Sequence, residues 1–178
     1  MPHVRCLDLC SGNVQQVLPE GTTMTWQSRS RDNYTPADDY YTPASVFEAL
    51  GLTFDLDVCA PTDGIPWLPA KKHFDLAQDG LAQDWHGLVW CNPPYSKPKP
   101  WIDKWLEHGN GLMLVQLSRS KGFLRLWEES DGVLALPSNF KFVHISGQTK
   151  GIFMPVALFA IGNVSYQALV NSNLGKVR

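Results

Sequence analysis

At 178 residues, 44% of them hydrophobic and 18% charged, the chain suits one compact domain with a real core and leaves no room for a second full domain. A net charge of −2 excludes a protein that coats nucleic acid by bulk electrostatics, and no apolar run approaches the roughly 18 residues of a membrane span. Cys6, Cys10, Cys59 and Cys91 form no C-x-x-C pair and have no matching His spacing, which predicts reduced thiols, no disulfide framework and no metal.

With no apolar leader at the start, the expected setting is cytoplasmic, without membrane partners. The charge is unevenly spread. Residues 35–90 hold nine acids against Lys71 and Lys72, whereas residues 95–150 hold eight cations against five acids. The first stretch suits a cationic small molecule and the second a polyanion.

Residues 1–40 hold Gly, Pro, Ser and Arg without sustained period and predict a partly ordered arm. Within it, residues 6–12 (Cys-Leu-Asp-Leu-Cys-Ser-Gly) mimic the strand-and-glycine start of a cofactor site, but Pro19 and Gly21 interrupt any long helix after them, and the segment reads as a decoy. After Thr42-Pro43, the spacing of Val46, Phe47 and Leu50 predicts a short helix over 44–51, closed by Gly51. Residues 54–60 read as a strand, with Leu56, Val58 and Ala60 on one face and Asp55, Asp57 and Cys59 on the other, ending in a Pro-Thr-Asp-Gly turn.

Residues 87–91 are an apolar run of the buried parallel kind, stopped by Asn92-Pro93-Pro94-Tyr95. A helix over 101–108, a buried strand over 111–117, a helix over 123–129 and a strand over 132–136 come next. The strand over 156–161 is expected to pair with one over 140–145. Strands alternating with short helices predict a mainly parallel α/β sheet with ligands at the carboxyl ends of its strands. The domain is expected to span 41–165, with 166–178 as a tail.

Asn92-Pro93-Pro94-Tyr95 sits where such a fold places its site. Two prolines stiffen the turn and remove two amide donors, so backbone carbonyls and the Asn92 side-chain oxygen can accept both hydrogens of an amino group. Accepting them localises the nitrogen lone pair and makes it a better nucleophile. The Tyr95 ring offers a face to a flat heterocycle. Asn-Pro and Pro-Pro also punctuate ordinary loops, but the position after a buried strand favours the chemical reading.

From about Tyr41 to Ile161 the sequence resembles the small phage and prophage Dam-like adenine-N6 DNA methyltransferases. Thr42-Pro43 ahead of a short helix, the strand Phe54-Asp55-Leu56-Asp57-Val58-Cys59-Ala60, the Asp79-Gly80-Leu81 segment with Trp85, and Val89-Trp90-Cys91-Asn92-Pro93-Pro94-Tyr95 match that family in order. The resemblance implies a small or truncated Rossmann-like class I S-adenosylmethionine-dependent methyltransferase sheet with a C-terminal antiparallel hairpin. It implies DNA as partner and S-adenosylmethionine as cofactor. Thr42 and Asp57 would hold the amino-acid end of the cofactor and Asp79 its adenine amine, with Pro43, Ala60, Gly80 and Leu81 beside them.

Because pairing hides the amine of adenine, the base would have to be flipped out. Structural readings of the same residues stay open: Thr42 as a helix cap, Asp57 as a strand-end acid, Asp79 as a turn residue. Phe140 and Phe142 are expected either to form the other face of a base stack or to pack in the core. Lys97, Lys99, Arg119 and Lys121 are placed to meet phosphates.

The sequence departs from the broader methyltransferase pattern in lacking a glycine-rich loop after residue 57. Methylation of RNA adenine or of a glutamine amide is the alternative chemistry, and a nucleic-acid-binding protein without catalysis is the alternative of another class. Both a monomer and a homodimer fit the sequence.

Overall fold

A computed structural model describes residues 40–144, 148–151 and 154–178, so residues 6–12 and nearly all of the expected arm lie outside it. In chain order the elements are β1 (Tyr40–Tyr41), α1 (Ala44–Leu50), β2 (Phe54–Asp57), β3 (Ala70–His73), β4 (Val89–Cys91) and α2 (Lys99–His108). Then come β5 (Gly111–Gln116), α3 (Lys121–Glu129), β6 (Gly132–Ala135), β7 (Lys141–His144), β8 (Thr149–Gly151), β9 (Val156–Ile161) and α4 (Asn163–Asn171).

Six strands make the central sheet in the order β3-β2-β4-β5-β9-β6. The first four are mutually parallel, and β9 enters antiparallel between β5 and β6. This is the Rossmann-like α/β arrangement that the sequence predicts. Strands β5 and β9 take the interior because Gly-Leu-Met-Leu-Val and Val-Ala-Leu-Phe-Ala are buried along their length, as strands covered on both faces must be. On one face Leu112, Leu114, Leu134 and Leu158 pack with Val46, Phe47 and Leu50 of α1 and Leu169 of α4. On the other, Met113, Val115, Val133 and Phe159 pack with Trp101, Ile102 and Trp105 of α2 and Phe123 and Leu126 of α3.

Helix α1 ends as expected, with Gly51 left-handed at φ 61° and its N–H bonded to the Phe47 carbonyl at 3.0 Å. Helices α2 and α3 each begin two residues earlier than the periodicity indicates, α3 because the Ser120 hydroxyl accepts the Phe123 N–H at 3.2 Å.

Three features differ from the sequence reading. Strand β9 does not pair with the segment around 140–145. Its all-apolar run belongs in the interior of the large sheet, whereas the half-buried β7 joins a second sheet of order β1-β7-β8 and forms an antiparallel hairpin with β8. Strand β3 has no apolar alternation, being an exposed edge carrying Lys71 and Lys72, a composition that discourages edge-to-edge pairing. And the segment after 165 is part of the fold: α4 buries Ser165, Ala168 and Leu169, and Arg178 exchanges two 2.9 Å backbone hydrogen bonds with Val133 at the β6 edge.

Leu169 is fully buried among the α1 and β-sheet side chains. Leu169→Ala is therefore expected to lower the unfolding free energy by about 2–4 kcal/mol in a urea titration, where the same change in a solvated tail would cost under about 0.5 kcal/mol.

Candidate active site

Parallel pairing sets Leu56 opposite Val89 and Asp57 opposite Trp90, with the Val58 N–H donating to the Trp90 carbonyl at 3.1 Å. Two residues on, the chain after β2 and the turn after β4 emerge at the same carboxyl edge. Asp57 is only 2% exposed, and its Oδ1 accepts the Cys59 N–H at 3.1 Å, which bends the backbone out of the strand. Pro61 and Gly64 then close the expected turn at 2.9 Å, while the buried Ala60 donates to the Phe74 carbonyl.

At the end of β4, Pro93 is buried and Asn92, Pro94 and Tyr95 are half-buried. The Pro94 carbonyl accepts the Lys97 N–H at 3.2 Å. That carbonyl is thus engaged by a local bond, where loss of the two proline amides predicts turn carbonyls free of one. The Tyr95 ring packs against the core, and its buried hydroxyl has no hydrogen-bond partner among the described residues. Burial pushes its phenol well above the usual range. Burial, with Cys59 and Asp57 nearby, likewise raises the Cys91 thiol.

The segment carrying Asp79-Gly80-Leu81 lies over the end of β2. A Cβ on Gly80 would fall 2.1 Å from the Val58 carbonyl oxygen, so only glycine permits this approach. Asp79 is exposed, adopts φ 51°, and accepts the Leu81 N–H on Oδ1 at 3.2 Å. Its turn role is real, and the second carboxylate oxygen remains beside it.

Thr42 comes after β1, whose Tyr41 pairs with Val143 of β7, and precedes α1. The Trp67 indole donates to its carbonyl at 2.8 Å. Its side chain does not cap α1: Pro43 takes the N-cap position, and the fully buried Thr42 hydroxyl has no hydrogen-bond partner among the described residues. Trp67 was not legible as a site residue, since a tryptophan in a proline-punctuated loop carries no periodic signal.

Phe142 is 1% exposed and sits in the core, with Phe140 half-buried and edge-on to it at 4.8 Å. Burial of this kind leaves no open ring face on Phe142. Among the cations, Lys99 pairs with Asp103 at 2.5 Å, whereas Arg119 and Lys121 are exposed in the loop and first turn after β5 and form no ion pair among the described residues. Lys97 is also exposed.

Residues 28–151 match the family DNA N-6-adenine-methyltransferase (Dam), more than half of the chain. The chain belongs to this family. Over 80 residues it is 32% identical to the DNA N-6-adenine-methyltransferase of Haemophilus phage HP1 (strain HP1c1), a stretch that covers 42% of this chain and 44% of that relative. The matched stretch thus spans less than half of the phage relative's length. The Dam match takes in both loops at the carboxyl edge and the β7–β8 hairpin.

No helix among the described residues is long and apolar enough to cross a membrane, and no group of three or more His, Cys, Asp or Glu side chains there could hold a metal ion. The chemistry of three of these side chains is compatible with a ligand carrying an ammonium and a sulfonium: the Thr42 hydroxyl, buried without a partner among the described residues, and the acids Asp57 and Asp79.

Gly80→Ala forces backbone apart at the Val58 carbonyl and is expected to destabilise the fold by about 1–3 kcal/mol. An open site shows the opposite: a Cβ on Gly151 meets nothing within 4 Å, and Gly151→Ala should leave the urea midpoint within error.

Proposed function

We propose that the chain transfers a methyl group from S-adenosylmethionine to the exocyclic N6 amine of a flipped-out adenine in DNA. The observation that carries this reading is the Asn92-Pro93-Pro94-Tyr95 turn at the carboxyl end of β4, held level with the buried acid at the end of β2. When bound, S-adenosylmethionine supplies an electrophilic methyl on sulfur. Thr42 and Asp57 hold its amino-acid end and Asp79 its adenine amine, with Pro43, Ala60, Gly80 and Leu81 forming the adjoining walls.

The Asn92 side-chain oxygen and the Pro93 carbonyl accept the two amine hydrogens of the target base. Both acceptors are fixed before the base arrives, so little reorganisation is needed when charge develops on the nitrogen. Tyr95 and the half-buried Phe140 flank the base, while the buried Phe142 supports Phe140 from behind. Arg119 and Lys121 meet backbone phosphates, joined by Lys97 and Lys99, which gives binding its salt dependence. The work is done in the cytoplasm that holds the DNA.

The test is transfer of labelled methyl from S-adenosylmethionine to unmethylated DNA, RNA and a protein extract, with nucleoside analysis of the product. Label in N6-methyladenine of DNA is expected, with Asn92→Ala lowering kcat by a factor on the order of 100 or more while the protein stays folded. Label confined to RNA or to protein glutamine overturns the substrate. Cofactor binding without any transfer points to a nucleic-acid-binding protein instead.

A further inference from the structure

We propose that Lys104, on α2, is a positioning residue that sets the shape of the cofactor loop, an inference that rests on the methyltransferase reading above. Its ammonium donates to the Leu81 carbonyl at 2.7 Å and to the Gln83 carbonyl at 2.5 Å, and it lies 5.2 Å from the centre of the Trp85 ring. Three donors thus meet two carbonyls and an aromatic face, the inward arrangement of a cation that holds something together rather than of a solvated surface lysine.

The loop is fixed from the same side by two further contacts. Trp85 stacks on Trp101 of α2 with ring centres 6.2 Å apart, and its indole N–H donates to the Gly80 carbonyl at 2.7 Å. The carbonyls of Gly80, Leu81 and Gln83 are all committed in this way, two of them to one ammonium. Gly80 is pressed at the same time against the Val58 carbonyl. Held between α2 and the end of β2, the loop keeps Asp79 in its left-handed, exposed conformation, an arrangement with an intrinsic cost for a non-glycine residue.

Helix α2 begins four residues after Tyr95, so one rigid element carries the base-binding turn at its start and the loop anchor in its middle. Lys104 therefore fixes the position of the acid that receives the cofactor's adenine without touching the transferred group. Removing the ammonium weakens cofactor binding and leaves the chemical step intact.

The experiment is calorimetric titration of the full chain with S-adenosylmethionine, wild type against Lys104→Met, which keeps an apolar stem in place. It is paired with kcat and KM on DNA. Lys104→Met is expected to raise the cofactor Kd and KM roughly tenfold, with kcat at saturating cofactor within about twofold of wild type. Trp85→Phe, which keeps a ring but loses the N–H bond to Gly80, should shift Kd in the same direction by a smaller factor, and it serves if Lys104→Met does not fold. Unchanged Kd in the variants beside a wild type that binds cofactor overturns the role of Lys104 alone, as does a fall in kcat at constant Kd. A wild type that binds no S-adenosylmethionine overturns the methyltransferase reading and this inference with it.

Discussion

The register between β2 and β4 governs the site. Because Asp57 is paired across from Trp90, the two strands run out of ladder within two residues of one another. The segments leaving them must then share one narrow edge: the Asp57–Cys59 bend on one side and the Asn92 turn on the other. A slip of one residue would turn Asp57 toward the opposite face and set its charge in the layer of Met113, Trp101, Trp105 and Phe159 packed on α2 and α3. The interleaved burial of Val89, Trp90 and Cys91 on alternate faces makes that slip costly, so the hydrophobic pattern of the core fixes the geometry of the polar edge.

Two of the second sheet's three strands are inserted in the chain between β6 and β9. The chain leaves the carboxyl end of β6 after Ala135 and rejoins the large sheet at the amino end of β9, which, being antiparallel, begins level with the end of β5 at Gln116. The excursion holds β7 and β8 and captures β1 against β7. Thr42 comes next in the chain, directly after the Tyr41–Val143 pair, and its carbonyl is held by the Trp67 indole. Helix α1 then runs back toward the start of β2, which keeps Thr42 on the carboxyl side.

Wherever burial is two-sided or a turn needs a particular residue, the sequence was informative. The strands at 87–91 and 111–117, the Gly51 stop and the Pro61–Gly64 turn could be read from residue type alone, as could the placement of Asn92 after a buried strand. Strand β3 could not, since Ala-Lys-Lys-His carries no periodic signal and is placed by pairing to β2 and by the 2.7 Å ion pair of Lys71 with Asp55. The partner of β9 was missed because an apolar run indicates burial but not which strands flank it. The role of Phe142 lay open in the alternation of residues 140–142, and its 1% exposure makes it a core residue. Lys104 was invisible for another reason: its hydrogen-bond partners are backbone carbonyls, which leave no trace in residue type.

The uneven charge of the sequence acquires a spatial meaning in the order β2-β4-β5. Asp57 ends the first of these strands, Asn92 comes after the second, and Arg119 and Lys121 come after the third. Neighbouring strands lie about 4.8 Å apart, so the ends of β2 and β5 stand roughly 10 Å from one another with the Asn92 turn between them. Solvent-exposed charges a Debye length or more apart are largely screened from one another at physiological salt, so the exposed cations after β5 do little to cancel the pull of the acidic side on a small cation. A cationic cofactor and a DNA strand can therefore each be attracted from their own side. On the proposed reading the only place where both are brought within reach is the turn after β4, which is where the base must present its amine.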